Sequence, residues 1–201
     1  MVLVLVGMSG VGKSVQAAAL AARGFVHHDV DAEIAARVPD LASPLPGERP
    51  VETVGRWMGM PWAPGHFERE AAYLALEAEV TAAAMERARG QRAHVIDTTG
   101  SVVHLPEPLL ARLRVSATVV LLDGGPDASR RLLARYLAEP KPVIWGQSWA
   151  PRAGESADAT LARCYPELLA RRVGLYRALA HHVIDGRTAR TDDLMRLAEH
   201  R

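Results

Sequence analysis

Short apolar runs recur along the chain and alternate with longer stretches of helical periodicity. The runs that predict strands are Val2–Val6, Phe25–His28, Ala93–Ile96, Ala117–Leu122 and His182–Ile184. The segments that predict helices are Ser14–Ala22, Glu68–Arg89, Pro126 to about Glu139, Leu161–Ala180 (with a start near Pro166 as the alternative) and a terminal helix capped by Thr191. Strands that alternate with helices predict an α/β fold, a parallel sheet covered by helices on both faces.

Two irregular segments interrupt this pattern. Residues 39–65 hold six prolines, several glycines and two tryptophans, and residues 140–158 hold three more prolines. Proline and glycine at this density predict loops. We therefore expect a single domain over residues 1–201, with an insertion at about 39–70 and a lid at about 140–158.

The composition narrows the possible functions. Among 201 residues, 49% are hydrophobic and 23% charged, which supports a packed core, and the formal net charge of +1 does not favour a polynucleotide or an anionic membrane as partner. The eight histidines show no zinc-ligand spacing. The lone cysteine, Cys164, excludes an intrachain disulfide, and no apolar stretch reaches the length of a membrane span. We expect a soluble, cytoplasmic protein, monomeric or a small homo-oligomer.

The strongest chemical signal follows the first strand. Gly7-Met8-Ser9-Gly10-Val11-Gly12-Lys13-Ser14 matches G-x-x-x-x-G-K-[S/T] in full and lies between a predicted strand and a predicted helix. Glycines let backbone N–H groups point at phosphate oxygens, and the helix adds the positive end of its dipole. We expect Gly7, Ser9, Gly10, Val11 and Gly12 to surround the phosphates, with Lys13 on the β- and γ-phosphates and Ser14 on Mg²⁺.

Aspartates follow the second and third strands. Asp29 and Asp31 are two residues apart, so in an extended chain both side chains point the same way. One carboxylate can hold Mg²⁺ while the other accepts the proton of a substrate hydroxyl; a helix cap for the segment near Ala32 is the alternative. Asp97, at the end of the third strand, is a further candidate Mg²⁺ ligand, with a turn or capping role as its alternative.

Several segments resemble shikimate kinases. The resemblance comprises Gly7–Ser14, Phe25-Val26 running into Asp29-Val30-Asp31, Val95–Val103, Val119–Asp123 with Arg130-Arg131, Arg172–Tyr176 and His182–Asp185. It implies a three-layer α/β/α P-loop fold of the nucleoside-monophosphate-kinase type, with a five-stranded sheet, an acceptor-binding insertion and a mobile lid.

The resemblance also implies roles for individual residues. Lys13, Ser14 and Asp29 would bind ATP·Mg²⁺, and Arg131 would lie on the nucleotide side, although arginines on helices are often only solvated. Asp31, Gly100 and Arg172 would face the acceptor.

The chain departs from the family pattern on the acceptor side. The family's triple glycine reads Thr99-Gly100-Ser101, Phe67 occupies the position of an acceptor-binding arginine that Arg69 can replace, and Lys141 is the candidate lid cation in place of an arginine. We therefore expect an ATP- and Mg²⁺-dependent kinase that phosphorylates a hydroxyl of a small anionic metabolite other than shikimate. A nucleotide or gluconate-type kinase and a non-catalytic ATP-binding regulatory module are the alternatives.

Overall fold

The computed structural model describes residues 1–125, 127–138 and 143–199. Its strands are β1 (Val2–Val6), β2 (Val26–Asp29), β3 (His94–Asp97), β4 (Thr118–Asp123) and β5 (His182–Asp185). Its α-helices are α1 (Lys13–Ala21), α2 (Val30–Arg37), α3 (Pro50–Met58), α4 (His66–Arg87), α5 (Glu107–Ser116), α6 (Ala128–Ala138), α7 (Ala157–Leu179) and α8 (Thr191–Glu199). Single turns of 3₁₀ helix lie at Val38–Asp40, Val102–His104 and Gly146–Ser148.

The strands form one sheet with the order β2-β3-β1-β4-β5, and every pair of neighbours is parallel. Alternate residues of each strand face opposite helical layers. Leu3 and Leu5 pack with α1 and α8, whereas Val4 and Val6 face the larger core that includes α4, α5 and α7. The predicted three-layer α/β/α architecture with a five-stranded parallel sheet is confirmed for the described residues.

Three of the eight described α-helices were not among those predicted: α2 entered only through the capping alternative for Asp29, and the other two are α3 and α5. Within the proline-rich insertion, α3 begins at Pro50, where a missing N–H costs nothing, and Arg49 and Glu52 form a capping box at its start. The second, α5, follows Pro106 and buries Leu113. Proline was interpreted as a loop signal in the insertion, although it is equally common in the first turn of a helix.

Helix α7 begins earlier than its predicted start. Ser156 caps it by accepting a hydrogen bond from the Ala159 N–H at 3.2 Å, and Pro166 lies inside the helix. In the lid region, the start of the predicted segment and Lys141 fall outside the described residues. The following backbone is tied to α4, because the Glu70 carboxylate accepts the N–H groups of Trp145 at 2.5 Å and Gly146 at 2.9 Å.

Two glycines hold the loop after β1 against its neighbours. A Cβ on Gly7 would lie 2.6 Å from the Leu122 carbonyl oxygen, and a Cβ on Gly186 would lie 2.6 Å from the Val11 carbonyl oxygen. Distances this short exclude any side chain while the backbone stays in place. The carboxyl ends of β1, β4 and β5 therefore pack tightly together, and they fix the position of the loop. None of the described helices combines the length and apolar character that a membrane span requires.

We expect Gly186→Ala to destabilise the fold by about 1–3 kcal/mol, because its methyl group must displace the backbone at Val11. Gly174→Ala is the matched control. Gly174 is inside α7 with open space around its Cβ position, so alanine there should add up to about 1 kcal/mol of stability. Urea denaturation of both variants measures the difference, and equal stabilities would contradict this account of the packing.

Candidate functional site

The loop between β1 and α1 forms a concave backbone cradle. Gly10 and Gly12 have φ angles of 78° and 97°, values that side-chain-bearing residues rarely adopt, and Gly12 is the N-cap of α1. The Lys13 ammonium folds back over the loop and donates to the carbonyl oxygens of Gly7 at 3.0 Å and Met8 at 3.2 Å. Glycines with positive φ, a helix N-terminus and a lysine folded over the loop are the features expected of a phosphate-binding loop.

A cleft of about 860 Å³ opens beside this cradle. Among the residues predicted for the site, its lining includes Ser9, Gly10, Gly12, Lys13, Ser14, Asp31, Gly100 and Arg172. Gly100 adjoins the cradle, because its Cβ position would lie 3.6 Å from the Ser9 backbone nitrogen. The structure thus brings the phosphate loop and three of the four predicted acceptor residues, Asp31, Gly100 and Arg172, into one cavity.

The aspartate pair after β2 is not extended. Asp29 is the N-cap of α2, and its Oδ1 accepts the Ala32 N–H at 2.8 Å, whereas Asp31 lies in the first helical turn. The two side chains therefore diverge, and the capping alternative holds for Asp29. Of the two, only Asp31 lines the cleft. The segment turns into a helix directly after β2 because Asp29 satisfies one of the free N–H groups at the start of α2.

Three charges near the cradle perturb one another. Burial lowers the pKa of Lys13, and the carboxylates of Asp97 and Asp31 partly offset that effect. Partial desolvation at the cleft wall likewise raises the pKa of Asp31, while the Lys13 ammonium lowers it. The side chain is nevertheless exposed to the cleft, and because a carboxylate with a raised pKa is a better proton acceptor than one with an ordinary pKa, Asp31 has the character of a general base.

His27, Asp29 and Asp97 form a group of potential metal ligands at the edge of the cradle. One ligand atom from each lies within 4.8 Å of the others, since Asp29 and Asp97 are paired across β2 and β3. Asp97 is 2% exposed, and its Oδ1 and the His27 Nε2 are buried with no hydrogen-bond partner among the described residues. Burial raises the pKa of Asp97, and the nearby Ser14 hydroxyl and Lys13 ammonium oppose the shift.

Unpartnered buried polar atoms are costly, and a divalent cation satisfies them. Of the predicted metal ligands, Asp29 and Asp97 belong to this group, and the Ser14 hydroxyl lies close to Asp97. The group also includes His27, which the sequence reasoning missed. The signal available in the sequence was a histidine two residues before Asp29 on the same strand, which places both side chains on one face of the sheet.

A second buried carboxyl lies behind the turn after β3. Glu77 of α4 is fully buried, and its carboxylate accepts hydrogen bonds from the hydroxyls of Ser101 at 2.6 Å and of Thr99. Burial raises the pKa of Glu77 to about 7, and the two hydroxyls only partly counteract this. The sequence reasoning missed Glu77; a glutamate on the core-facing side of α4 was the available signal.

Arg172 is held at the cleft by neutral partners. Its Nε donates to Nε2 of His104 at 3.1 Å, and its Nη2 donates to the Ile144 carbonyl oxygen at 2.9 Å. Burial and the adjacent guanidinium lower the pKa of His104 to about 4, so the imidazole is neutral and accepts. Within the described part of the chain, no carboxylate is hydrogen-bonded to the Arg172 guanidinium.

Two predicted site residues, Arg69 and Arg131, are not part of the cleft lining. Arg69 donates to the carbonyl oxygens of Met58 at 3.1 Å and Pro64 at 2.9 Å, and it does not line the described cleft. Arg131 donates to the Gly124 carbonyl oxygen at 3.1 Å, next to the glycine turn after β4 that touches Val11 of the cradle. The structure thus places Arg131 near the phosphate loop and Arg69 in the packing between α3 and α4.

The Glu77 carboxyl should make stability depend on pH. Its pKa is about 7 in the folded state and 4.5 ordinarily, so between pH 4.5 and about 7 the folded state keeps a proton that the unfolded state has lost. The contribution of Glu77 to the free energy of unfolding is therefore fully present below pH 4.5. It is lost as the pH rises to about 7, which lowers stability by roughly 3 kcal/mol. Glu77→Gln should flatten this slope, as urea titrations at several pH values can measure, while the exposed Glu68→Gln on the same helix should not. An unchanged slope would contradict the assignment.

Removing the buried acid should weaken metal binding. We expect Asp97→Asn to lower the affinity for Mn²⁺, used as a paramagnetic probe in the presence of ADP, by about 10- to 100-fold. Electron paramagnetic resonance measures the concentration of free Mn²⁺ directly. Asp40→Asn, at an exposed position outside the cleft, is the control, and equal Mn²⁺ affinities in the two variants would exclude Asp97 from the site.

Comparison with known proteins supports the fold. A scan against protein-family models and a search of curated protein sequences found no match. Among solved structures, shikimate kinase from Bacteroides thetaiotaomicron is 20% identical with a TM-score of 0.58, covering 99% of this chain and 96% of that one. The Aquifex aeolicus shikimate kinase is 18% identical with a TM-score of 0.54, covering 98% and 92%.

The shikimate kinase from Acinetobacter baumannii, solved in complex with shikimate, is 22% identical with a TM-score of 0.52, covering 97% of this chain and 88% of that one. At these identities the likeness concerns the fold, and it extends over nearly the whole chain. The chain thus has the P-loop, nucleoside-monophosphate-kinase-like fold of shikimate kinases.

Proposed function

We propose that the protein is an ATP-dependent kinase that transfers the γ-phosphoryl group to a hydroxyl of a small molecule. One observation carries this proposal: the phosphate cradle and the Asp31 carboxyl line the same cavity. A module that only binds ATP needs the cradle but has no use for a carboxyl with a raised pKa in the same cleft.

The phosphate-binding half of the reaction follows from the cradle. Backbone N–H groups of the loop and the N-terminus of α1 would hold the β- and γ-phosphates. Lys13 would exchange its two carbonyl partners, Gly7 and Met8, for phosphate oxygens, so its buried ammonium gains opposite charge at no cost in new desolvation. Arg131, beside the cradle, is our candidate for a contact on the nucleotide side.

The acceptor half depends on Asp31. An acceptor hydroxyl hydrogen-bonded to this carboxylate attacks the γ-phosphorus as the bond from that phosphorus to the bridging oxygen of ADP breaks. The electron pair of the broken bond leaves with ADP, and the hydroxyl proton passes to Asp31. The carboxyls of Asp29 and Asp97, with Ser14 and His27, would hold Mg²⁺, which neutralises charge on the phosphate oxygens when bound.

Arg172 favours an acceptor that carries an anionic or strongly polar group. Its guanidinium lines the cleft with a neutral imidazole and a carbonyl as bonded partners, so a carboxylate or phosphate on the acceptor could form a charge-assisted hydrogen bond with it. The backbone at Gly100 is the proposed floor of the acceptor subsite.

A nucleotide or gluconate-type kinase uses the same elements, and acceptor-stimulated ADP release in a panel of nucleotides, sugar acids and other alcohols would distinguish them. The regulatory-module alternative predicts ATP binding without such stimulation.

We expect Asp31→Asn to retain ATP binding within about threefold but to lose about 10²–10⁴-fold in kcat, because the hydroxyl proton then has no acceptor. Lys13→Ala should lose ATP binding as well as turnover. Calorimetry with ATP·Mg²⁺ and coupled ADP release measure the two properties separately. The exposed Asp158→Asn is the control; an Asp31→Asn enzyme with near-normal kcat would refute the assigned role.

A further inference from the structure

The cleft has two chemically different ends. Near the cradle its lining is polar, with Lys13, Asp31 and the backbone at Gly100. Away from the cradle the lining is apolar and comes from both sides of the cleft. One side consists of residues of α2 and α3, and the other of residues of α6 and α7; the most prominent are Ile34, Val51, Val54, Leu132, Tyr136 and Tyr165.

The apolar end is a rigid wall backed by aromatic rings. Tyr136 and Tyr165 stack with centroids 4.6 Å apart and ring planes at 17°, and Trp145 packs against Tyr165 at 5.7 Å. Trp145 is 1% exposed and Tyr165 5%, so these rings cannot turn aside to expose polar groups. A wall built from close-packed rings presents the same apolar surface before and after a ligand binds.

Several polar side chains that border this wall have protein partners. The Arg49 guanidinium donates to Oε1 of Glu52 from Nε at 2.8 Å and from Nη2 at 2.5 Å. Thr99 and Ser101 also line the cleft, and their hydroxyls donate to Glu77.

A compact polyol bound in the cleft would therefore place several of its hydroxyls against this apolar wall, where they find no hydrogen-bond partner. Each polar group buried without a partner costs about 1–3 kcal/mol.

We propose that the acceptor is an amphipathic alcohol, with a hydroxyl placed at Asp31 and an aromatic or branched aliphatic body seated on the apolar wall of α2, α3, α6 and α7. This inference rests on the proposed kinase function and specifies its substrate class. A group on the acceptor that bonds Arg172 is compatible with it, since that guanidinium borders the apolar end.

The test compares two acceptor classes at the same enzyme. One is a set of aryl-substituted diols, and the other is a set of polyhydroxy carboxylates of similar size. Acceptor-stimulated ADP release should be at least about tenfold higher in kcat/KM for the aryl-substituted set, and calorimetry should show a negative heat-capacity change on their binding. Stimulation by polyhydroxy carboxylates alone would overturn the inference while leaving the kinase proposal standing.

ATP binding with no acceptor-stimulated ADP release would count against both the kinase proposal and this inference. ADP release stimulated by nucleotides alone would overturn only the amphipathic-alcohol inference.

A variant pair tests the wall itself. Val51 is 40% exposed at the cleft mouth, so Val51→Asn should fold and should raise KM for an aryl-substituted acceptor by about tenfold. Val115, 77% exposed on α5 and outside the cleft lining, provides the matched Val115→Asn control, which should leave KM unchanged. Thermal denaturation of both variants confirms that each is folded. Equal KM values for the two variants would overturn the assigned contact.

Discussion

The site depends on one buried positive charge, the Lys13 ammonium. It is only 7% exposed and bonds two backbone carbonyl oxygens, so burial lowers its pKa and the carboxylates of Asp31 and Asp97 have to compensate. Asp31 lies in the first turn of α2 directly after β2, and Asp97 ends β3. Only a parallel sheet brings the ends of β1, β2 and β3 to one edge. The order of the strands therefore determines which charges surround the Lys13 ammonium.

The same edge explains why the cleft is asymmetric. Close backbone packing at Gly7 and Gly186 fixes the cradle between β1, β4 and β5, and there the polar backbone itself forms the binding surface. On the acceptor side the lining comes from helices, which hide their backbone and present side chains. The phosphate end is consequently determined by a short motif, whereas the acceptor end is determined by side chains scattered over several helices.

This difference decides what the sequence could predict. The five strands, their order along the chain and the phosphate loop follow from local patterns, because a buried parallel strand and a glycine-rich cradle each have a recognisable sequence. The insertion was less predictable, since its prolines suit both a loop and the first turn of α3. The extended arrangement assumed for Asp29 and Asp31 was wrong, because Asp29 caps a helix that begins one residue later.

The turn after β3 shows why long-range contacts escape such reasoning. Thr99 and Ser101 replace two glycines of the pattern that the chain resembles. Their hydroxyls donate to Glu77, more than twenty residues earlier in the chain, so they satisfy a buried carboxyl as well as lining the cleft. Hydroxyls at these positions and an acid on α4 therefore belong together: glycines there would leave the Glu77 carboxyl without those hydrogen-bond donors, and the cost of that burial would increase.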